Sequence, residues 1–233
     1  MTVATLTLAR FRRPPGRLWA FAQMGLARWP LARMPGLRFR KLMGSGAGAG
    51  FAPVPNTAVW AILCVWDDRA SAEAALGRGV HRRWADRADE CCHLLLRPTA
   101  VRGAWSGRTP FEPGPDDAGG PVAALTRATI RPGALARFWR RVPRLDRLIG
   151  ANGEVLMKVG VGEVLWLHQV TFSVWPDLAS MARFARAAGG PHAEVIRLVR
   201  AEGWFREELY ARFRVADARG IWEGRAIGDV LKC

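Results

Sequence analysis

The chain has 233 residues, half of them apolar and 24% charged, which excludes a disordered polypeptide and allows one large domain or two small ones. Its formal net charge is +15, carried almost wholly by arginine, since only Lys41, Lys158 and Lys232 are lysines. The arginines are scattered through apolar sequence without any recognition motif, so solvated faces or a membrane-facing patch are expected and nucleic acid is not.

Taken in chain order, the first strand is expected over Thr2–Phe11 and a helix over Arg17–Arg33. Strands follow at Arg38–Leu42 and Thr57–Val65, separated by the glycine- and proline-rich stretch Gly44–Pro55, which reads as a loop. Helices over Ala70–Glu90 and a strand over Cys92–Val101 complete the first half. Trp105–Gly120 holds seven Gly or Pro residues and reads as a linker. The second half repeats the pattern: a strand at Val122–Ile130, then a helix from Pro132-Gly133 to Ile149. Strands at Glu154–Val159 and Val164–Val174 come next, joined by a glycine turn. Helical segments at Leu178–Ala187 and Pro191–Glu202 and a strand at Phe205–Val215 finish it.

The two halves also echo each other in residues. Leu6-Thr7-x-Ala9 returns as Leu125-Thr126-x-Ala128, and Pro15-Gly16-x-Leu18 as Pro132-Gly133-x-Leu135. Val65-Trp66-Asp67-Asp68 returns as Val174-Trp175-Pro176-Asp177, and His81 has its counterpart in His192. Ordered matches of this kind predict an internal duplication. The expected fold is α+β: two fused ferredoxin-like βαββαβ repeats in a dimeric α/β-barrel-like arrangement within one chain. The expected bounds are 1–104 for the first repeat, 105–120 for the linker, 121–216 for the second repeat, and 217–233 for a tail.

Four cysteines (Cys64, Cys91, Cys92 and Cys233) form no CxxC pair and no metal-site spacing, so reduced thiols are expected. No apolar window of about 18 residues is free of charge, which argues against a transmembrane helix. The basic end of the first strand is not a leader pattern, and a cytoplasmic location is expected. The glycine run Gly44–Gly50 has no following helix, and no GxSxG, P-loop or HExxH motif occurs. His192 is the informative residue. Behind the helix break Gly189-Gly190-Pro191, it shares one helical face with Val195, Ile196 and Val199. Such a histidine reads either as a core residue bonded to a carbonyl or as an axial haem ligand in an apolar slot. His81 is the runner-up, while His168, on a strand face with Val170, Phe172 and Val174, can line a pocket. A thiolate ligand from Cys64 or Cys92 lacks a surrounding motif. The strand around Phe205–Phe213 alternates apolar and charged residues, which suggests a solvated edge; beside a haem pocket, Arg206 or Arg212 can pair with a propionate.

Several blocks carry a wider resemblance: Arg17-Leu18-Trp19-Ala20, Met43-Gly44-Ser45-Gly46, Pro55-Asn56-Thr57, Trp105-Ser106-Gly107-Arg108, Leu125 through Gly133, Gln169-Val170-Thr171-Phe172-Ser173 and Gly190-Pro191-His192-Ala193-Glu194. Together they resemble the spheroidene monooxygenase family, the acyclic carotenoid ketolases of purple phototrophic bacteria. His168 departs from the glutamine expected there. The resemblance implies haem b with its iron, dioxygen, a reduced ferredoxin-type donor, and an acyclic carotenoid such as spheroidene as substrate. It implies two hydroxylations that leave a keto group at C-2, with His192 as the favoured iron ligand. It also allows peripheral contact with the cytoplasmic face of the inner membrane, through Leu18, Trp19, Phe21, Met24, Leu26 and Trp29. The alternatives are another haem enzyme on the same scaffold, of the aldoxime dehydratase type, and a haem- or lipid-binding protein without turnover.

Overall fold

A computed structural model describes residues 1–48, 52–116, 119–140, 153–164, 166–186 and 202–231. His192, Val195, Ile196 and Val199 lie outside the described residues, as does most of the helix expected up to Ile149. The first half contains β1 (Val3–Arg10), α1 (Pro14–Leu26), α2 (Arg28–Ala32), β2 (Leu37–Gly46), β3 (Pro55–Trp66), α3 (Arg69–Leu76), α4 (Gly79–Arg87) and β4 (Glu90–Gly103). The second contains β5 (Val122–Ile130), a 3-10 turn at Pro132–Ala134, β6 (Met157–Gly162), β7 (His168–Trp175), α5 (Leu178–Arg186), β8 (Phe205–Trp222), β9 (Arg225–Ala226) and α6 (Ile227–Val230).

All strand pairings are antiparallel, and the order β4-β1-β3-β2-β6-β7-β5-β8 closes on itself where β8 also pairs with β4. The result is an eight-stranded barrel with helices outside, an α+β architecture. Closure leaves these strands no open edge. Each half contributes its strands in the same spatial order, fourth-first-third-second. The registers correspond as well: Val3 faces Trp66 and Val122 faces Trp175, so Thr7 opposite Ile62 matches Thr126 opposite Thr171. The halves meet at two seams of unequal length. β4 and β8 run together from Cys92–Gly220 to Gly103–Leu209, whereas β2 and β6 touch only at Gly44–Gly162 and Ser45–Val161.

Alternation along each strand sends one set of side chains into the barrel. Leu6, Leu8, Leu63, Leu94, Leu125, Val159, Phe172 and Phe213 fill it, each at most 3% exposed. Trp105 and Phe111 belong to the same core, so the segment expected to be a mere linker packs into the barrel. At the other end, β8 runs seven residues beyond the expected Val215, and Trp222, Ile227 and Leu231 plug the interior where a tail was expected.

Other differences have local causes. The single helix expected at Arg17–Arg33 begins at Pro14, because Pro14 and Pro15 suit a helix's first turn, and it breaks at Ala27 before Pro30. β6 and β7 start about three residues later than expected. Gly160 and Gly162 lie in the strand, and the chain turns at 163–164 and 166–167, where Trp166 takes φ 66°. Glycine is required at 162 for closeness, since a Cβ there would stand 2.1 Å from the His168 carbonyl oxygen. The alternating segment Phe205–Phe213 is not an edge. It lies between β4 and β5, so Glu207 points into the barrel. Among the described residues, no helix is long and apolar enough to cross a membrane.

Candidate functional site

The outside of the barrel differs sharply between halves. On the first half, Trp60, Ile62, Cys64 and Trp66 of β3 and Thr5, Thr7 and Ala9 of β1 lie under α1 to α4, all at most 7% exposed. One row across this face runs Leu42–Ile62–Thr7–His93. The corresponding row of the second half runs Gly160–Thr171–Thr126–Tyr210. Its neighbours are Ser173 and Ala124 on one side and Gln169 and Ala128 on the other, three of them small. Thr126 is exposed although it sits mid-strand between two paired neighbours. Glycine, alanine and threonine give this face a shallow floor on which a flat, bulky group can rest.

A cleft of about 340 Å³ lies along the short β2–β6 seam and shares Gln169 with this face. Phe21, Met24, Leu42, Trp60, Trp139 and Val161 supply its apolar walls, while Arg28, Asn56, Glu163 and Gln169 supply its polar ones. Gly44 keeps the wall open beside Trp60, since a Cβ there would lie 3.3 Å from the indole ring. An apolar slot with a few polar groups is the usual form of a small-molecule site.

Glu163 also reaches a polar cluster inside the adjoining barrel mouth. It accepts from Lys41 Nζ and from Trp105 Nε1, and Arg127 lies 3.8 Å away. Arg127 is 1% exposed and pairs with Glu207, whose carboxylate also accepts backbone N–H groups of Ser106 (3.0 Å) and Gly107 (2.7 Å). Burial raises the Glu207 pKa, but these two N–H groups and Arg127 outweigh it and hold the carboxyl below its ordinary value. His168 sits at the rim with Nδ1 3.7 Å from Glu163, and burial lowers its pKa.

Three curated relatives match nearly the whole chain. Spheroidene monooxygenase of Cereibacter sphaeroides is 47% identical over 99% of this chain and 72% of its own length. The Rhodobacter capsulatus protein of that name is 45% identical, over 97% and 95% respectively, and the Rubrivivax gelatinosus one 36%, over 92% and 83%. The chain belongs to the spheroidene monooxygenase family. No family profile matches it. Among solved structures, an aldoxime dehydratase complexed with butyraldoxime superposes with a TM-score of 0.59 at 12% identity, covering 99% of this chain and 84% of that one. A second aldoxime dehydratase gives 0.55 at 13%, covering 93% and 82%. At such identities the likeness extends to the barrel fold and no further.

Within this member of the spheroidene monooxygenase family, the histidines fall in three settings. His81 is fully buried between α4 and β1, its Nδ1 3.1 Å from Thr7 Oγ1, with His93 Nδ1 2.9 Å from the same oxygen. One hydroxyl can donate to one ring and accept an N–H from the other, so a single Thr7 satisfies both. Burial, with His93 beside it, pushes His81 down to about 3; burial, with Arg219 nearby, pushes His93 down to about 4. Both are therefore neutral at pH 7. Trp66 packs against His81, with ring centroids 6.2 Å apart, inside the dense N-terminal layer. Arg206 is exposed and Arg212 half-buried on the outward face of β8, where Arg212 already reaches Thr99 at 3.3 Å and Asp116 at 3.3 Å. Burial raises the thiol pKa of Cys64 and Cys92, and pushes Cys91 up to about 12, so with no metal bound all three are protonated at pH 7. Among the described residues no three histidine, cysteine or carboxylate side chains gather as a metal cage.

The Gly160–Thr171–Thr126–Tyr210 floor escaped sequence reasoning, and so did the Arg127–Glu163–Glu207 cluster. The floor had a readable signal: Thr7 and Thr126 were already matched, and the replacement of a bulky neighbour by Thr171 was visible once registers were known. The cluster had only the oddity of Arg127 and Glu207 at positions that alternate with core residues.

Proposed function

We propose that the protein is a haem-dependent monooxygenase that converts an acyclic carotenoid such as spheroidene to its C-2 ketone. The observation that carries this reading is the shallow, partly open C-terminal face, joined to an apolar cleft, in a member of the spheroidene monooxygenase family. The donor set fits the group: one neutral imidazole suffices for haem iron, and the small side chains of the face leave room for a porphyrin that the N-terminal face lacks. His192, flanked by Val195, Ile196 and Val199, is the residue we assign to hold the iron, with Arg206 for a propionate. Arg212 is the weaker candidate because Asp116 and Thr99 already engage it. Bound there, haem supplies the activation of dioxygen with electrons from a reduced ferredoxin-type donor.

The chain's own residues bind, orient and exclude water. Phe21, Met24, Leu42 and Trp60 take one end of the polyene, and the narrow seam holds its terminal carbons toward the small-residue face. Each hydroxylation consumes one dioxygen, two electrons and two protons, giving one alcohol and one water. Two at the same carbon leave a geminal diol, which loses water to become the ketone. We read residues 1–104 and 121–216 as two copies of one ferredoxin-like unit, in keeping with their shared strand order and registers. In this reading the chain works in the cytoplasm.

Two experiments test the proposal. Purified protein supplied with haem should develop a Soret band; a flat spectrum would sink every haem reading. Expression in cells that accumulate spheroidene should shift the pigment toward red, and an unchanged pigment in cells whose extracted protein carries haem would point to another haem enzyme.

A further inference from the structure

Helices α1 and α2 expose apolar side chains where a soluble surface would place polar ones. Leu18, Phe21, Leu26 and Trp29 are 64–70% exposed, and with Ala22 and Gly25 they occupy positions 18, 21, 22, 25, 26 and 29. Positions 18, 21, 22, 25 and 26 form one stripe along α1, and Trp29 adds an exposed ring on α2 just past the break at Ala27, so the residues are not scattered exceptions. The opposite side of the same helices is buried in the usual way through Ala20, Ala27 and Leu31. Across the seam cleft, Val54, Val164 and Trp166 are also 44–60% exposed, and Trp166 is tethered to the Pro53 carbonyl at 2.7 Å. Phe21 belongs both to the stripe and to the cleft wall, so the cleft opens at this face.

The segment that carries the stripe has charge of one sign. The chain carries nine basic residues and no acidic one before Asp67. Arg13, Arg28 and Arg33 flank the stripe, and Arg33 lies 3.2 Å over the Trp29 ring. A second copy of the chain is a poor partner for such a face, because a two-fold contact would set arginine against arginine. Nucleic acid satisfies the arginines but gives four large apolar side chains nothing to enter. An anionic lipid surface satisfies both, since apolar side chains enter the acyl boundary while arginines reach the head groups.

We propose that the α1–α2 stripe seats the protein on an anionic lipid surface, with the seam cleft opening onto the bilayer. The seating stands on the stripe and its charge alone. That the cleft draws its substrate from the bilayer rests on the carotenoid reading above. Vesicles of phosphatidylcholine with phosphatidylglycerol should carry the protein in flotation, and phosphatidylcholine vesicles should carry much less. Raising salt to about 0.5 M should release most of the bound protein. Leu18→Glu with Leu26→Glu should weaken binding at least about ten-fold, and Arg13→Gln with Arg33→Gln should weaken it several-fold without touching the apolar stripe. The first pair should leave turnover of detergent-dispersed carotenoid unchanged while lowering turnover of vesicle-embedded carotenoid. Equal binding to neutral and anionic vesicles, or binding unaffected by both variant pairs, would overturn the proposal. So would a dimer in sedimentation that the glutamate variant dissociates, since the stripe would then be an interface between copies. Loss of turnover on dispersed substrate in the unaltered protein would instead count against the carotenoid reading.

Discussion

Two sheets with the same strand order and matching registers bear opposite outer faces. The N-terminal one is closed by large side chains: Trp60, Ile62, Cys64 and Trp66 disappear under four helices, each large apolar group contributing about 1.5–3 kcal/mol by burial. At the matching positions of the C-terminal one stand Gln169, Thr171, Ser173 and Trp175, three of them small or polar. Inside the barrel the halves differ too. Leu8 is fully buried among apolar neighbours, while Arg127, at the matching position, carries a charge into the mouth. Among the described residues, one half thus carries large apolar side chains on both faces of its strands, and the other carries small or polar ones at several matching positions, which is where a functional site is to be sought.

Exchanging features between the halves tests that contrast. The largest effect is expected at the histidines: His192→Ala should weaken haem retention about 100-fold, seen as loss of the Soret band on gel filtration. His81→Ala should keep the band while lowering the unfolding midpoint, because it opens a cavity and removes one of the two imidazoles bonded to Thr7. The reverse pattern would move the iron to the N-terminal half.

Next comes Arg127→Leu, which installs the N-terminal solution in the C-terminal barrel wall. It should cost about 3–5 kcal/mol in urea unfolding at pH 7, since Glu207 keeps the N–H groups of Ser106 and Gly107 but loses its cation. The cost should shrink as acid protonates that carboxylate. A neutral or stabilising result would mean the cluster is not an ion pair holding the mouth.

A smaller contrast separates Ile62→Thr from Thr171→Ile. The first should destabilise by about 2–4 kcal/mol, as a buried branched side chain is cut back and a hydroxyl is left without an assigned partner. The second should change stability by no more than about 0.5 kcal/mol, yet reduce haem uptake by raising the floor. Equal costs at both sites would erase the distinction between the faces.

The mildest expectation concerns pH. His81 and His93 have folded pKa values of about 3 and about 4, below the ordinary value near 6.5. Their contribution is thus complete above about pH 6.5 and is lost as pH falls from there toward those values, because the unfolded chain takes up the protons first. The slope is at most about 1.4 kcal/mol per pH unit for each ring. Urea midpoints from pH 7.5 to 5 should fall, and His93→Gln should flatten the fall. A flat profile in the unaltered protein would show that the N-terminal layer admits charge.

The periodicities and the repeated blocks of this chain were enough to predict the eight barrel strands and the helices of the first half in order, because period-two alternation and glycine–proline breaks are local properties. The family was legible in blocks such as Leu125 through Gly133. Other features could not be read locally, for a shared physical reason: they depend on which strand lies beside which. The closing β4–β8 ladder turned Phe205–Phe213 from an apparent edge into an interior strand and aimed Glu207 at Arg127. Trp105 and Phe111 became core only because the barrel mouth lies where their segment crosses. The shallow C-terminal floor is set by four residues from four strands, and no single element contains more than one of them. Side-chain type and spacing decided the elements; pairing across the closed sheet decided which residues share a face, and with that where a cofactor and a substrate have room.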